Sequence, residues 1–165
     1  MRRLAELLYR VTPDDRALGP VDRELAHADG VLHRSGVVFL RRSDGRVLLQ
    51  RRSAAKRIFP GCLDCSTAFH VTFGETYEQA ALRELREETG VSAAVRSVGK
   101  FTHHDPPEHQ IVAVFTCSSD GPVTMDPSEA SGYVLLSKPE IERVLREDRV
   151  TPWLRDGWPL ARDAL

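Results

Sequence analysis

The sequence is poor in cysteine, in aromatic residues and in long apolar runs, and its charges nearly cancel. Three cysteines are an odd number, which argues against a disulfide framework. No apolar stretch approaches the roughly 20 residues that a membrane-spanning helix needs. The basic start of the chain precedes only a short, interrupted apolar run, unlike a signal peptide. A net charge of -1 creates no strong field, so we expect no nucleic acid or membrane partner and a cytoplasmic protein.

What is present is enough for one compact domain. The chain has 165 residues, of which 41% are hydrophobic, so we expect a single domain over residues 1–165. Cys62 and Cys65 form a C-x-x-C, but no second pair completes a zinc site, and we interpret the cysteines as buried structural residues. The sequence leaves the oligomeric state open, with a homodimer among the alternatives.

The order of predicted elements indicates an α/β fold. Residues 4–11 read as a strand or a short helix, and 21–30 as a short polar segment. Periodicity and turn residues predict strands over 35–42, 46–52, 62–73, 93–102, 110–118 and 132–137, with a polar loop around 103–109. A capping box at Thr76 and Gln79 predicts a helix over 77–88 that ends at Gly90, and a last helix follows over 138–148. This order predicts an α/β/α sandwich around a mixed β-sheet.

Three carboxylates crowd one face of the helix over 77–88. Glu84, Glu87 and Glu88 fall on one narrow stripe because an α-helix advances about 100° per residue. Like charges at this spacing cost roughly 0.2–0.5 kcal/mol per pair. The stripe is therefore either a solvated acidic surface or the ligand set of a cation.

The residues around this stripe favour the cation. The run GETYEQAALRELREETGV at 74–91 resembles the Nudix box, G-x5-E-x7-R-E-U-x-E-E-x-G-U with U a bulky apolar residue. Every defined position matches except the first, where Phe69 replaces glycine, so the box spans about 69–91. The resemblance implies a Nudix domain and a hydrolase acting on phosphorus anhydrides.

The acidic stripe suits magnesium. Glu84, Glu87 and Glu88 supply hard oxygen ligands of the kind that Mg²⁺ prefers, with Mn²⁺ as the alternative. Arg83 stands four residues before Glu87 and is placed to orient that carboxylate. The resemblance adds the carbonyl of Ala68 as a further ligand.

Segments beyond the box resemble the branch of the superfamily that contains isopentenyl-diphosphate isomerase, from about residue 20 to 160. AHADGVLHRS at 26–35 is similar to a segment with two metal-binding histidines, here His27 and His33, and His70 stands at the third. The resemblance thus implies a second metal site, and imidazole suits zinc or manganese better than magnesium.

The same resemblance implies a binding site for a phosphorylated small molecule. VLLQRRSAAKRIFPG at 47–61 places Arg52 and Lys56 where the family grips a diphosphate, and Arg23 is a third candidate. TPWLRDGW at 151–158 is similar to a segment that places a tryptophan, here Trp153, over the substrate.

Two departures separate hydrolysis from isomerisation. The isomerase uses a cysteine and a glutamate, and Ala68 and Gln110 stand at those positions. Cys65 lies an odd number of residues from Ala68 and is expected on the opposite face of the strand. The carboxylates that metal-assisted hydrolysis needs are all present in the sequence. The general base would be Glu88, Glu87 or the loop acid Glu108. We therefore favour a Mg²⁺-dependent hydrolase that cleaves a diphosphate linkage in a nucleotide or similar compound. The alternatives are an isomerase-like enzyme and a non-catalytic binder of a phosphorylated ligand.

Overall fold

A computed structural model describes residues 5–165 as a mixed β-sheet with flanking helices. The strands are β1 (Leu7–Val11), β2 (Ala17–Asp22), β3 (His33–Arg41), β4 (Val47–Arg52), β5 (Leu63–Asp64), β6 (Thr67–His70), β7 (Arg96–Asp105), β8 (Glu108–Ser118) and β9 (Ala130–Leu136). The helices are α1 (Arg23–Ala28), α2 (Tyr77–Thr89), α3 (Lys138–Glu147) and α4 (Pro152–Arg162). None of these helices is long and apolar enough to cross a bilayer. The predicted α/β class is confirmed.

Strand β3 organises the sheet. It pairs with β8 in parallel along its whole length, and with β1, β4 and β6 in antiparallel fashion over shorter stretches. Strands β7 and β8 form a long antiparallel hairpin, and β9 lies along β4. Because β6 joins β3 directly, the first residues of the box lie against the centre of the sheet.

Side chains of β3 alternate between two hydrophobic layers. Val37 and Phe39 pack with α3 and α4, on what we call the α4 face. Val38 and Leu40 pack against α2, on what we call the α2 face. This alternation follows from the two-residue period of a strand, and burying each such side chain contributes about 1.5–3 kcal/mol.

Local sequence sets both ends of α2. Thr76 accepts from the backbone N–H of Gln79, whose side chain accepts from the N–H of Thr76, as the capping box predicted. Gly90 closes the helix with φ 73°, a conformation that glycine adopts without steric cost. The inner side of α2 packs on the sheet through Ala80, Ala81 and Leu85.

Several local predictions were wrong. The strand predicted over 62–73 is two short strands, β5 and β6, and the short polar segment over 21–30, to which no secondary structure was assigned, contains helix α1. The expected polar loop is absent from the described chain, because β7 and β8 run on to a turn at Pro106 and Pro107. His103, His104 and His109 therefore lie on strands.

Helix α4 was not predicted at all, although its start carried a signal. Thr151 accepts from the N–H of Leu154 and precedes a proline, the usual residues of an N-cap and first helical position. Trp153 and Trp158 on this helix pack into the α4 face. The predicted substrate-binding segment is thus part of the core.

All three cysteines are buried and form no disulfide within residues 5–165, as the sequence predicted. The predicted orientation of Cys65 was wrong. Its side chain and that of Ala68 both pack on the α4 face, because the break between β5 and β6 interrupts the alternation of a continuous strand.

Candidate functional site

Arg83 forms hydrogen bonds with three carboxylates, that of Glu75 just before α2 and those of Glu84 and Glu87 on the helix. Its Nε and Nη2 donate to the two oxygens of Glu75 at 2.6 and 2.9 Å, and its Nη1 donates to Glu84 at 2.6 Å. A longer contact of 3.4 Å reaches Glu87. A guanidinium fixed in this two-pronged way is a rigid anchor, so Arg83 holds Glu75 and Glu84 firmly, whereas it contacts Glu87, the carboxylate it was predicted to orient, only weakly.

Glu88 is the buried member of the stripe. Its exposure is 5%, and it accepts a short hydrogen bond from the hydroxyl of Thr67 on β6. No Lys or Arg within residues 5–165 forms an ion pair with it. Burial raises the pKa of Glu88 well above its ordinary value, and the nearby charges of Glu84 and Glu129 raise it further. A buried carboxylate with no cationic partner is costly unless a cation joins it.

Glu84 and Glu87 differ from Glu88 in exposure. Burial raises the pKa of Glu84, while its ion pair with Arg83 works against this rise. The side chain of Glu87 is 55% exposed and its contact with Arg83 is weak. The stripe thus has an inner pair, Glu84 and Glu88, and an outer carboxylate that faces solvent.

Sequence reasoning missed a fourth carboxylate, Glu129. Its backbone carbonyl accepts from Ser53 at 2.9 Å, and the same loop donates from Asp126 N to the carbonyl of Glu88 at 3.0 Å. The side chain of Glu129 forms an ion pair with Lys56, and its charge raises the pKa of Glu84 and Glu88. Glu129 belongs to no sequence motif. It lies near the acidic stripe only because β9, which begins at the next residue, pairs with β4.

Three histidines from distant elements converge. His27 on α1, His33 at the start of β3 and His70 at the end of β6 offer ligand nitrogens that all lie within 4.8 Å of one another. The Nε2 atoms of His27 and His70 are 3.1 Å apart. His33 donates from Nδ1 to the carbonyl of Val31 at 2.7 Å, and its buried Nε2 has no partner among residues 5–165. A metal-ligating histidine commonly bonds a carbonyl or carboxylate through its other nitrogen, so these side chains fit a metal ion.

Two of the histidines, His33 and His70, have lowered pKa values that favour the neutral form needed for ligation. Burial lowers the pKa of His33 to about 4 and that of His70 well below its ordinary value. The charges of Arg23 and Lys56 lower the pKa of His70 further, so both cations lie near it. Neutral imidazole is the form that binds metals.

The predicted role of Glu108 as a loop acid beside the helix needs correction. Glu108 begins β8, is buried, and binds Nδ1 of His27 at 2.7 Å and Nε2 of Gln110 at 2.8 Å. Burial acts to raise its pKa, but the hydrogen bonds from His27 and Gln110 outweigh it and the pKa is lowered. Glu108 therefore belongs to the histidine cluster, because the β7–β8 hairpin carries it there.

Two residues that were predicted to bind substrate, Arg52 and Trp153, form hydrogen bonds with other residues of the protein. Arg52 has a side-chain exposure of 11%, donates from Nη1 to Asp64 at 3.2 Å, and uses Nε and Nη2 on the carbonyl of Ile58. Trp153 is 7% exposed and donates its indole N–H to Gln110 at 3.0 Å. The geometry thus makes Arg52 and Trp153 structural, because their polar groups are already satisfied.

Lys56 and Arg23 are more accessible. The side chain of Lys56 is 25% exposed and pairs with Glu129, while Arg23 is 44% exposed and pairs with Glu6 at 2.7 Å. The charges of both residues lower the pKa of His70, and Lys56 also forms an ion pair with Glu129, which lies near the acidic stripe. Lys56 is therefore placed between the two clusters.

Strand β6 connects the clusters. Thr67 and Phe69 face α2, whereas Ala68 packs on the α4 face and His70 joins the histidines. Thr67 and His70 are three positions apart along the strand, which corresponds to about 10 Å. Paired catalytic metals stand roughly 3.5–4 Å apart, so the stripe and the histidines are two separate centres.

Comparison with known proteins agrees with this architecture. Residues 31–154 match the model of the NUDIX domain, which includes the whole of the box. The chain belongs to the Nudix family. It is 35% identical over 154 residues to an uncharacterised Nudix hydrolase of Pseudomonas aeruginosa, covering 93% of this chain and 89% of that one.

Further Nudix relatives connect the chain to the isomerase branch and to a solved structure. It is 35% identical to the isopentenyl-diphosphate Delta-isomerase of Serratia proteamaculans, over 78% of this chain and 74% of that one. A crystal structure from Deinococcus radiodurans superposes with a TM-score of 0.78 at 30% identity, over 92% of this chain and 96% of the other. The predicted family and branch are confirmed, and the protein is a hydrolase of the Nudix type.

Proposed function

We propose that this Nudix protein is a Mg²⁺-dependent hydrolase that cleaves a diphosphate linkage in a nucleotide or a similar nucleoside diphosphate compound. The observation that carries the proposal is the buried carboxylate of Glu88, which lies beside Glu84 with no cationic partner in the described chain. A cation between these groups offsets the cost of burying them.

Glu84, Glu87 and Glu88 would hold the ion, with the carbonyl of Ala68 as a further ligand. Oxygen ligands of this kind suit Mg²⁺, and Mn²⁺ is the alternative. A divalent cation bound there supplies charge neutralisation for phosphate oxygens and makes water more acidic.

The remaining chemistry belongs to the side chains around the two clusters. Glu87 is the candidate base, because it is the exposed member of the stripe and can take a proton from an attacking water. Arg83 holds Glu84 in place and contacts Glu87 only weakly. Lys56 and Arg23 bind the substrate phosphates, since both are accessible cations near His70, and Lys56 also pairs with Glu129 beside the acidic stripe.

His27, His33 and His70 would hold a second metal ion. Three nitrogen ligands with a free position are typical of zinc in enzymes, and manganese is the alternative. The orphaned Nε2 of His33 supports this part of the proposal, because a buried polar atom without a partner is otherwise unfavourable.

Isomerisation of a prenyl diphosphate is the second candidate. The histidine cluster and the named function of the Serratia proteamaculans relative favour it. Against it, Ala68 and Gln110 carry no group that can exchange a proton near pH 7. Cys65 is fully buried, and burial raises the pKa of its thiol well above the ordinary value, so it is no substitute.

The test is a substrate panel with a matched pair of variants. Nucleoside di- and triphosphates, sugar nucleotides, dinucleotides and isopentenyl diphosphate are incubated with Mg²⁺, and the phosphorylated cleavage products and any double-bond shift are measured. We expect hydrolysis of the diphosphate linkage to two phosphorylated products, or to a nucleotide and phosphate where the linkage is terminal, strongly reduced in Glu88→Gln and unchanged in Glu78→Gln, an exposed glutamate on the same helix. Wild-type turnover by Glu88→Gln would rule out the α2 site, and a double-bond shift alone would favour the isomerase.

A further inference from the structure

Gln110 lies at the centre of a buried hydrogen-bond chain that the proposed reaction does not use. Its exposure is 3%, and its Oε1 accepts from Ser35 Oγ at 2.9 Å and from Trp153 Nε1 at 3.0 Å. Its Nε2 donates to Glu108 Oε2 at 2.8 Å. Every polar atom of the amide therefore has a partner.

The chemistry of Trp153 fixes the direction of this chain. An indole N–H can only donate, so the atom of Gln110 that faces it must be the amide oxygen. The amide nitrogen is then directed at Glu108, which must accept. The orientation of the amide follows from its neighbours and leaves one hydrogen-bonding pattern.

This direction continues into the histidine cluster. Glu108 accepts from Nδ1 of His27 at 2.7 Å, so the proton of a neutral His27 is on Nδ1. Its Nε2 then carries a lone pair and accepts from Nε2 of His70, 3.1 Å away. The nitrogen that His27 presents to the other histidines is therefore the one that can bind a metal ion.

We propose that Gln110 is a positioning residue that holds Glu108 as the acceptor of His27 and so fixes which nitrogen His27 presents to His33 and His70. This inference rests on the histidine site of the proposed function and adds a role for a residue that touches no ligand nitrogen. A glutamate at position 110 would still accept hydrogen bonds from Trp153 and Ser35. It could not donate to Glu108, however, because both carboxylates are acceptors. An apolar residue would leave both Glu108 and the indole N–H without this partner.

The decisive experiment uses the metal-free full chain. Imidazole ¹⁵N chemical shifts distinguish a protonated from an unprotonated nitrogen, so they report the tautomer of His27. In the wild type we expect a single form with the proton on Nδ1. In Gln110→Leu and Gln110→Glu we expect a mixture of tautomers, because Glu108 is no longer held. Gln110→Glu keeps two of the three hydrogen bonds and serves if the leucine variant does not fold.

A matched control separates this effect from the general change of glutamine to glutamate. Gln79→Glu makes the same change in the capping box of α2, where glutamate is equally suitable, and should leave the His27 shifts unchanged. A His27 spectrum in both Gln110 variants that equals the wild type would overturn the inference.

Titration with Co²⁺ alone, followed by visible absorption, adds a second readout. We expect the affinity of the histidine site to fall about 10–100-fold in Gln110→Leu, the usual effect of losing an outer partner of a metal ligand. Cobalt binding that this variant does not weaken overturns the inference. Failure of the wild type to bind cobalt overturns the metal site itself, while the imidazole spectrum still decides the role of Gln110.

Discussion

Gly36 and Phe69 face each other on neighbouring strands, and the ring of Phe69 occupies the space that a side chain at position 36 would need. A Cβ on Gly36 would lie 2.8 Å from Cε2 of Phe69 and closer still to Cζ. Phe69 is the residue that replaces the first glycine of the Nudix box, and its ring packs under α2. Because Gly36 on β3 has no side chain, there is room for the ring of Phe69 on β6.

This pairing predicts non-additive effects on stability. Gly36→Ala should destabilise the protein by about 1–3 kcal/mol, the usual cost of overpacking a core. Phe69→Ala should cost about 3–5 kcal/mol by leaving a cavity. In the double variant Gly36→Ala should cost much less, because the clashing ring is gone. Urea unfolding of the four proteins measures the coupling, and additive effects would contradict the interlocking of the two residues.

The Glu75–Arg83 ion pair predicts a dependence of stability on pH. The hydrogen bonds from Arg83 lower the pKa of Glu75 below its ordinary value of 4.5. A carboxylate with a lowered pKa in the folded state stabilises the protein above the unfolded value, and this contribution is lost as the pH falls through the folded value. Glu75→Gln should therefore destabilise the protein at pH 7 by about 1.5–3 kcal/mol, and by less at pH 3.

Urea unfolding at the two pH values checks this prediction, with Glu78→Gln as the control on the same helix. An equal loss at pH 7 and pH 3 would mean that Glu75 contributes through its shape and not through its charge.

Arg52 and Lys56, both predicted to bind phosphate, should now behave differently. Arg52→Leu leaves the buried carboxylate of Asp64 without its cation and should destabilise the protein by about 3–5 kcal/mol. Lys56→Gln breaks a partly exposed pair and should cost less than about 1 kcal/mol, while it raises KM about tenfold or more. Thermal unfolding and steady-state kinetics on the best substrate of the panel separate the two. A raised KM in a fully stable Arg52→Leu would restore Arg52 to the substrate site.

Local sequence was sufficient for helix α2 and its acidic stripe. The cap at Thr76, the end at Gly90 and the spacing of Glu84, Glu87 and Glu88 depend only on residues within a few positions, so the prediction did not need the tertiary fold. The convergence of the histidines came from the family resemblance instead, because no spacing along the chain brings α1, β3 and β6 together.

What sequence reasoning missed depends on long-range pairing. Arg52 is engaged because β5 places Asp64 beside β4, and Glu129 reaches the site because β9 joins β4. Glu108 lies beside the histidines and not beside α2 as predicted, because β7 and β8 form a longer hairpin than expected. Each of these contacts joins residues far apart in the chain, and residue types alone do not reveal them.

The buried Glu88 predicts a conflict between stability and metal binding. Burial raises its pKa well above the ordinary value of 4.5, so the folded protein holds this proton more tightly than the unfolded chain does. Stability from this group is therefore greatest below pH 4.5 and is lost as the pH rises through the folded pKa. In EDTA, Glu88→Gln should be more stable than the wild type at pH 8, because it buries no charge.

Magnesium should reverse this order. At a concentration of 100 times its Kd, a ligand that binds only the folded state stabilises it by about 2.7 kcal/mol. We expect that gain in the wild type and in Glu78→Gln, and none from the α2 site in Glu88→Gln. Thermal unfolding of the three proteins at pH 8, with EDTA and with Mg²⁺, makes the comparison. If Glu88→Gln is less stable than the wild type in EDTA, then Glu88 is a structural group in its own right, and the cation is not what compensates for its burial.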